Sequence, residues 1–95
     1  MKIIIQSPDF KAQPALTDFV NEKVEKLAVF SDRIIESRVL LKLDHSETKD
    51  NKVSEIRLVI PGNDLFATKH AKSFEEATAK AVDALKKQIE EWKEK

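Results

Sequence analysis

The chain has 95 residues, 41% of them hydrophobic, and its 17 Lys and Arg residues balance 17 Asp and Glu residues. This length supports one modest hydrophobic core, and the absence of Cys excludes disulfide bonds, thiolate metal sites and thiol chemistry. A net charge of zero differs from the basic balance of most nucleic-acid-binding domains, so any nucleic-acid site must be a local patch.

The first predicted elements are a strand and a helix. Residues 2–7 are apolar and β-branched and end at a Pro-Asp turn, which predicts a strand. Their apolar run is far too short for a signal peptide or a membrane span, so we expect a cytoplasmic protein with no membrane partner. Pro14 suits the first position of a helix. An apolar stripe at helical spacing extends this helix over about 14–29: Leu16, Phe19, Val20, Val24 and Leu27.

Three strands and a long helix are predicted to follow. The strands span residues 34–43, 53–60 and 65–71, and they are separated by a polar loop over 44–52 and a Pro-Gly-Asn-Asp turn. Ser73 and Glu76 match the capping box that begins a helix. The final helix, about 74–94, has an apolar stripe: Thr78, Ala81, Val82, Leu85, Ile89 and Trp92.

The predicted fold class is α+β with the element order β-α-β-β-β-α. Each helix has only one apolar stripe and the middle strands alternate, so both helices should pack on one face of a four-stranded mixed sheet. We expect residues 1–95 to form a single domain. Phe66 on the fourth strand has two interpretations, an outward ring that stacks on a base and a buried ring, and we expect the buried one. The least exposed side chains should include Leu16, Phe19, Val24, Leu85 and Ile89.

A search for chemistry in the sequence finds no catalytic pattern. His45 lies in the polar loop, and His70, on the fourth strand, has no metal-ligand spacing to another His or Cys. One glycine cannot build a phosphate-binding loop, and no Ser lies in a nucleophile-elbow pattern. We therefore expect a protein that is not an enzyme and has no metal, cofactor or small-molecule substrate.

The lysines of the two helices allow two interpretations. On a helical wheel, Lys80 and Lys87 follow one border of the last helix's polar face, and Lys86 and Lys93 follow the other. Carboxylates lie between these borders: Glu76, Asp83, Glu90 and Glu94. One interpretation is a solvent face with Asp83–Lys87 and Glu76–Lys80 ion pairs. The other is a pair of basic ridges that, with Lys23 and Lys26, contact phosphates.

Several segments, in order and along the whole chain, are similar to one protein family. They are the first helix from Ala15 through Leu27, Phe30 with Asp32-Arg33-Ile34, the strand Val39-Leu40-Leu41-Lys42-Leu43, the turn Ile60-Pro61-Gly62-Asn63, and the final helix through Asp83, Leu85, Lys87, Gln88 and Lys93. This pattern resembles the ribosome hibernation-promoting factor family, also called the S30EA family. The chain resembles its short form, without the C-terminal dimerisation domain of long forms.

The resemblance implies a function, a partner and a set of site residues. Such proteins bind the small (30S) ribosomal subunit in the mRNA and tRNA channel, contact 16S rRNA and inhibit translation in stationary phase or stress. Carried over by position, the RNA contacts fall on Lys23, Lys26, Lys87 and Lys93. The local pattern adds Arg33, Lys80 and Lys86. Ala84 and Glu91 stand where many members have lysine, and Glu75 and Glu76 replace a tyrosine–alanine pair, which dilutes the basic face.

An alternative hypothesis is a protein–protein interaction module of the same fold that has lost ribosome binding. The neutral net charge and the residues Ala84 and Glu91 favour this hypothesis. The lysines retained on both helices favour ribosome binding. Co-pelleting with ribosomes from stationary-phase cells distinguishes the two.

Overall fold

Four strands and two α-helices make up the fold, as seen in a computed structural model that describes residues 1–46 and 49–93. The elements are β1 (Lys2–Gln6), α1 (Pro14–Glu25), a 3₁₀ helix (Lys26–Val29), β2 (Glu36–Leu43), β3 (Lys52–Val59), β4 (Leu65–Ala71) and α2 (Phe74–Lys93). The predicted order is confirmed. The first helix tightens into a 3₁₀ turn after Glu25, and β2 begins two residues later than predicted. Glu94 and loop residues Glu47 and Thr48 lie outside the described residues.

The strands form one mixed sheet in the order β1-β2-β3-β4. β1 pairs with β2 in parallel, whereas the β2–β3 and β3–β4 pairs are antiparallel. The Asp44 amide donates to the Asn51 carbonyl at 2.8 Å and closes the β2–β3 hairpin. In the turn before β4, Gly62 has a φ of 89°, which favours glycine because a Cβ is strained there.

Both helices cover the same face of the sheet, as predicted. Their apolar stripes and the inward residues of the strands form one cluster, whose fully buried members include Val20, Val24, Leu27, Leu41, Ile56, Leu58, Leu85 and Ile89. Inside it, the Thr78 hydroxyl of α2 donates to Ser54 Oγ of β3 at 3.1 Å, and both side chains are fully buried. The opposite face of the sheet stays open.

The buried set differs from the expectation at three aromatic and aliphatic positions. Val24, Leu85 and Ile89 are fully buried as expected, but Leu16 and Phe19 are only half-buried. On a wheel centred on Val20 and Val24, Phe19 lies at the edge of the stripe, where neither the sheet nor α2 covers it completely. Phe66 is 46% exposed instead of buried, because strand alternation places it on the open face between the inward Leu65 and Ala67.

Two contacts stabilise the beginning of α2. Ser73 Oγ accepts a hydrogen bond from the Glu76 amide at 3.1 Å, which confirms the serine half of the predicted capping box, whereas the Glu76 carboxylate pairs with Lys80. The rings of Phe10 and Phe74 stack with their centres 4.7 Å apart and join the β1–α1 loop to α2. Within the described residues, neither helix combines the length and apolar character that a membrane crossing requires.

Candidate nucleic-acid interface

The predicted lysines of the first helix lie along one of its sides. Phe19, Lys23 and Lys26 follow the spacing i, i+4 and i+7, which places them along one side, and Phe30 follows directly after the 3₁₀ turn. Lys23 Nζ lies 5.6 Å from the centre of the Phe19 ring, and Lys26 is exposed in the 3₁₀ turn. This side of the helix is therefore both basic and aromatic.

The end of the first helix lies beside α2, because Phe30, directly after the 3₁₀ turn, contacts two α2 lysines. Lys86 Nζ lies 5.5 Å from the centre of the Phe30 ring, and Lys93 Nζ donates to the Phe30 carbonyl at 2.8 Å. Lys86 also approaches the Asp83 carboxylate at 3.8 Å, so its charge is partly compensated. The Lys86–Lys93 border of α2 and the Lys23–Lys26 border of α1 thus share one groove.

Arg33 extends the groove from the loop between the 3₁₀ turn and β2. Its guanidinium carbon lies 4.9 Å from the centre of the Trp92 ring, an arrangement in which the aromatic face attracts the cation. The Arg33 amide donates to Ser31 Oγ at 3.1 Å and fixes the loop locally. In residues 1–46 and 49–93, no carboxylate forms an ion pair with Arg33.

Five of the seven predicted cations therefore line one side of the molecule, which we call the helix-side cluster: Lys23, Lys26, Arg33, Lys86 and Lys93. The other two, Lys80 and Lys87, lie on the outer face of α2, where the Asp83–Glu90 row separates them from the groove. Lys80 pairs with Glu76 at 3.6 Å, as expected. The expected Asp83–Lys87 pair is wrong, because Asp83 pairs with Lys86 instead.

The open face of the sheet also carries cations, and three of them are paired with carboxylates. The pairs are Arg38 with Glu36, Lys42 with Glu55 at 2.9 Å, and Arg57 with Asp64 at 3.4 Å. The hydrogen bond that the Lys42 ammonium donates to the Glu55 carboxylate is the main cause of the raised pKa of Lys42. A polyanion therefore meets little unbalanced charge on this face, whereas the helix-side cluster keeps unpaired cations.

The two histidines do not form a metal-binding cluster among the described residues. His70 Nε2 lies 3.0 Å from Asp44 Oδ2, and His45 is exposed in the hairpin. The pKa of Asp44 is lowered, first by hydrogen bonds from Ser46 and then by His70. Across the part of the chain that the structure describes, no three His, Asp or Glu side chains gather closely enough to hold a metal ion.

Two arrangements were not predicted from the sequence. Arg57 lies over the exposed Phe66 ring at 5.5 Å, and Arg33 lies over Trp92. The period-two alternation of β4 contains the signal for an outward Phe66. No local pattern joins Arg33 to Trp92, because they are far apart in the chain and meet only through packing.

Comparisons with known proteins identify relatives over nearly the whole chain. The family described as sigma 54 modulation protein / S30EA ribosomal protein matches residues 3–95. A protein of Klebsiella oxytoca named ribosome hibernation promoting factor is 27% identical over 95 residues, covering 100% of this chain and 96% of that protein. A protein of the same name from Acinetobacter guillouiae is 26% identical, covering 95% and 85%.

Solved structures share the fold at lower identity. A ribosomal subunit interface protein from Coxiella burnetii superposes with a TM-score of 0.89 at 17% identity and covers 100% of both chains. The N-terminal domain of Protein Y from Thermus thermophilus superposes with a TM-score of 0.79 at 22% identity, covering 97% of this chain and 99% of that one.

Proposed function

The chain belongs to the sigma 54 modulation protein / S30EA ribosomal protein family, and on that premise we propose that it is a ribosome hibernation factor. It binds the small (30S) ribosomal subunit in the mRNA and tRNA channel and inhibits translation in stationary phase or stress. The observation that carries this proposal is the match over residues 3–95 to a family whose relatives are named ribosome hibernation promoting factors.

The charge distribution supports contact through the helical side. Net charge is zero, so attraction to 16S rRNA must come from local asymmetry. Three cations of the open face pair with carboxylates, namely Arg38, Lys42 and Arg57. In contrast, the helix-side cluster leaves Lys23, Lys26 and Arg33 without a carboxylate partner among the described residues. The helical side is therefore the surface that meets phosphates.

The proposed mechanism is occupancy of the channel. Ammonium and guanidinium groups contact rRNA phosphates and release counterions, so affinity falls with salt. Fully buried residues of both helices, such as Val24 and Leu85, lock α1 and α2 onto one sheet at a fixed separation. A rigid two-helix surface recognises RNA shape more than base identity. Neither catalysis nor a cofactor is required.

The proposed contacts differ in expected strength. Lys23, Lys26, Arg33 and Lys93 have no carboxylate partner within the described residues and should contribute most. Lys80 and Lys86 pair with carboxylates and should contribute less. Lys87, on the outer face of α2, has no carboxylate partner within the described residues, so its charge is available to phosphates.

Sedimentation with purified ribosomal subunits tests the proposal. The protein should co-sediment with small subunits at low salt and dissociate as salt rises, with little binding to large subunits. It should also lower the yield of a purified translation system, and mRNA and initiator tRNA bound in advance should reduce its binding. If the protein fails to co-sediment with small subunits even at low salt, the proposal is wrong.

The open face of the sheet favours a second candidate function, a protein–protein interaction module. Phe66 is 46% exposed there, beside the half-buried Ile4 and Leu40. Under this alternative, Phe66→Ser would abolish self-association measured by analytical ultracentrifugation. Under the ribosome proposal, the same substitution leaves small-subunit binding intact.

A further inference from the structure

A cleft of about 630 Å³ opens at one end of the helix-side groove, between the loop over residues 28–33 and the end of α2. Its walls include Val29, Phe30, Arg33, Trp92 and Lys93. Small-molecule sites have volumes of roughly 300–1,000 Å³, so the cleft can accept a group the size of a nucleotide.

The cleft combines planar, cationic and apolar groups. Arg33 is held over Trp92 with its guanidinium carbon 4.9 Å from the ring centre, and Lys93 lies beside it with its ammonium on the Phe30 carbonyl. An ammonium has three N–H donors, so the bond to Phe30 leaves two for a ligand. Val29 at the rim is 84% exposed, the most exposed large hydrophobic side chain among the described residues.

The charge of the cleft fits one phosphodiester. Among the described residues that line it, Arg33 and Lys93 are the two cations and Asp32 is the one carboxylate, exposed and unpaired with either cation. One net positive charge matches one bridging phosphate. Duplex RNA presents its phosphates on the outside and keeps its bases stacked inside, so its bases cannot contact the planar and apolar groups of the cleft.

We propose that this cleft binds one unpaired ribonucleotide. The base packs against the Arg33–Trp92 pair and the Val29 side chain, and Lys93 contacts its phosphate. Unpaired bases are recognised in this way, by stacking on aromatic rings and guanidinium planes. The inference rests on the proposed function, because rRNA or mRNA in the ribosome would supply the nucleotide.

The fluorescence of Trp92 reports on the cleft directly, since the chain has one Trp and no Tyr. The probes are a short oligoadenylate and an abasic oligomer of the same length and charge. Oligoadenylate should quench Trp92 and bind at least about fivefold more tightly than the abasic oligomer, because stacking of one base contributes roughly 1–3 kcal/mol. Equal affinity for the two oligomers would overturn the proposal.

The Arg33→Lys substitution tests whether discrimination between the two oligomers depends on the flat guanidinium or only on the positive charge. The substitution keeps the positive charge but loses the flat guanidinium, so the affinity ratio of oligoadenylate to abasic oligomer should fall to about one. The matched control is Lys72→Gln, an exposed residue before α2, about 30 Å from Lys93 along a 20-residue helix. It should leave the ratio unchanged. If Arg33→Lys preserves the ratio, the assignment of the base contact is wrong.

Crosslinking distinguishes the two RNA sources. A photoreactive benzoylphenylalanine at the exposed position 29 should crosslink to 16S rRNA in small subunits freed of mRNA if rRNA supplies the nucleotide. A crosslink that appears only when mRNA is added assigns the nucleotide to mRNA. If the protein co-sediments with small subunits but forms neither crosslink, the cleft proposal fails and the ribosome proposal stands. If the protein distinguishes oligoadenylate from the abasic oligomer but does not co-sediment with small subunits, the ribosome proposal fails and the cleft proposal stands.

Discussion

Replacement of three helix lysines by glutamine should flatten the salt dependence of small-subunit binding. Lys23, Lys26 and Lys87 have no carboxylate partner among residues 1–46 and 49–93, so their charges are available to phosphates. Each lost phosphate contact removes about 0.7–0.9 from the slope of log affinity against log salt. The triple variant should therefore lose roughly two to three units of slope.

The triple variant should remain folded. Lys23 loses its contact with the Phe19 ring, which contributes about 0.5–1 kcal/mol at an exposed site. Lys26 and Lys87 are exposed, and such substitutions usually change stability by no more than about 0.5 kcal/mol. Urea denaturation should thus show a loss below roughly 2 kcal/mol.

A control triple variant separates position from total charge. Lys11, Lys69 and Lys72 are exposed, lie outside both α-helices and the 3₁₀ turn, and carry the same total charge. Their replacement by glutamine should change the slope by less than about one unit, the equivalent of one phosphate contact. Sedimentation of small subunits across a salt series measures both variants. Equal flattening by the two triples would refute the assignment of the helical side.

Three further predictions concern stability. Thr78→Val should destabilise the fold by about 1–3 kcal/mol in urea denaturation, because it leaves the buried Ser54 hydroxyl without its partner. Adding Ser54→Ala should recover part of this loss. A double variant that recovers none of it would contradict this reasoning. Hydrogen bonds from Ser46 are the chief cause that lowers the pKa of Asp44 from its ordinary 3.8. The ionised Asp44 carboxylate therefore stabilises the fold above that pH, and this stabilisation is lost as pH falls through the folded-state pKa. Asp44→Asn should therefore be less stable than wild type at neutral pH, with the difference shrinking in acid; a constant difference would argue against the ionic origin. Ser73→Ala should cost about 0.5–2 kcal/mol in thermal or urea unfolding by removing the α2 cap, and an unchanged midpoint would show that the cap does not contribute.

The sequence by itself determined the element order and most of the element boundaries. Turn residues and apolar stripes are local features of the chain, so β4 begins and ends where it was predicted after the Pro-Gly-Asn-Asp turn, at Leu65 and Ala71. The cap at Ser73 was predictable for the same reason, because its partner is the amide three residues later. A single stripe on each helix was enough to place both helices on one face of the sheet.

The tertiary structure decided which residues are covered and which charges remain free. Helical spacing indicates on which side of its helix each residue lies, as for Phe19 and Lys86. It does not indicate how much of the side chain a neighbouring element covers. Arg33 reaches Trp92, and Lys93 reaches the Phe30 carbonyl across 63 positions of sequence. Such contacts depend on how α1, the loop after it and the end of α2 pack together. Local spacing therefore indicated the cations of each helix, but their convergence into one cluster follows from that packing.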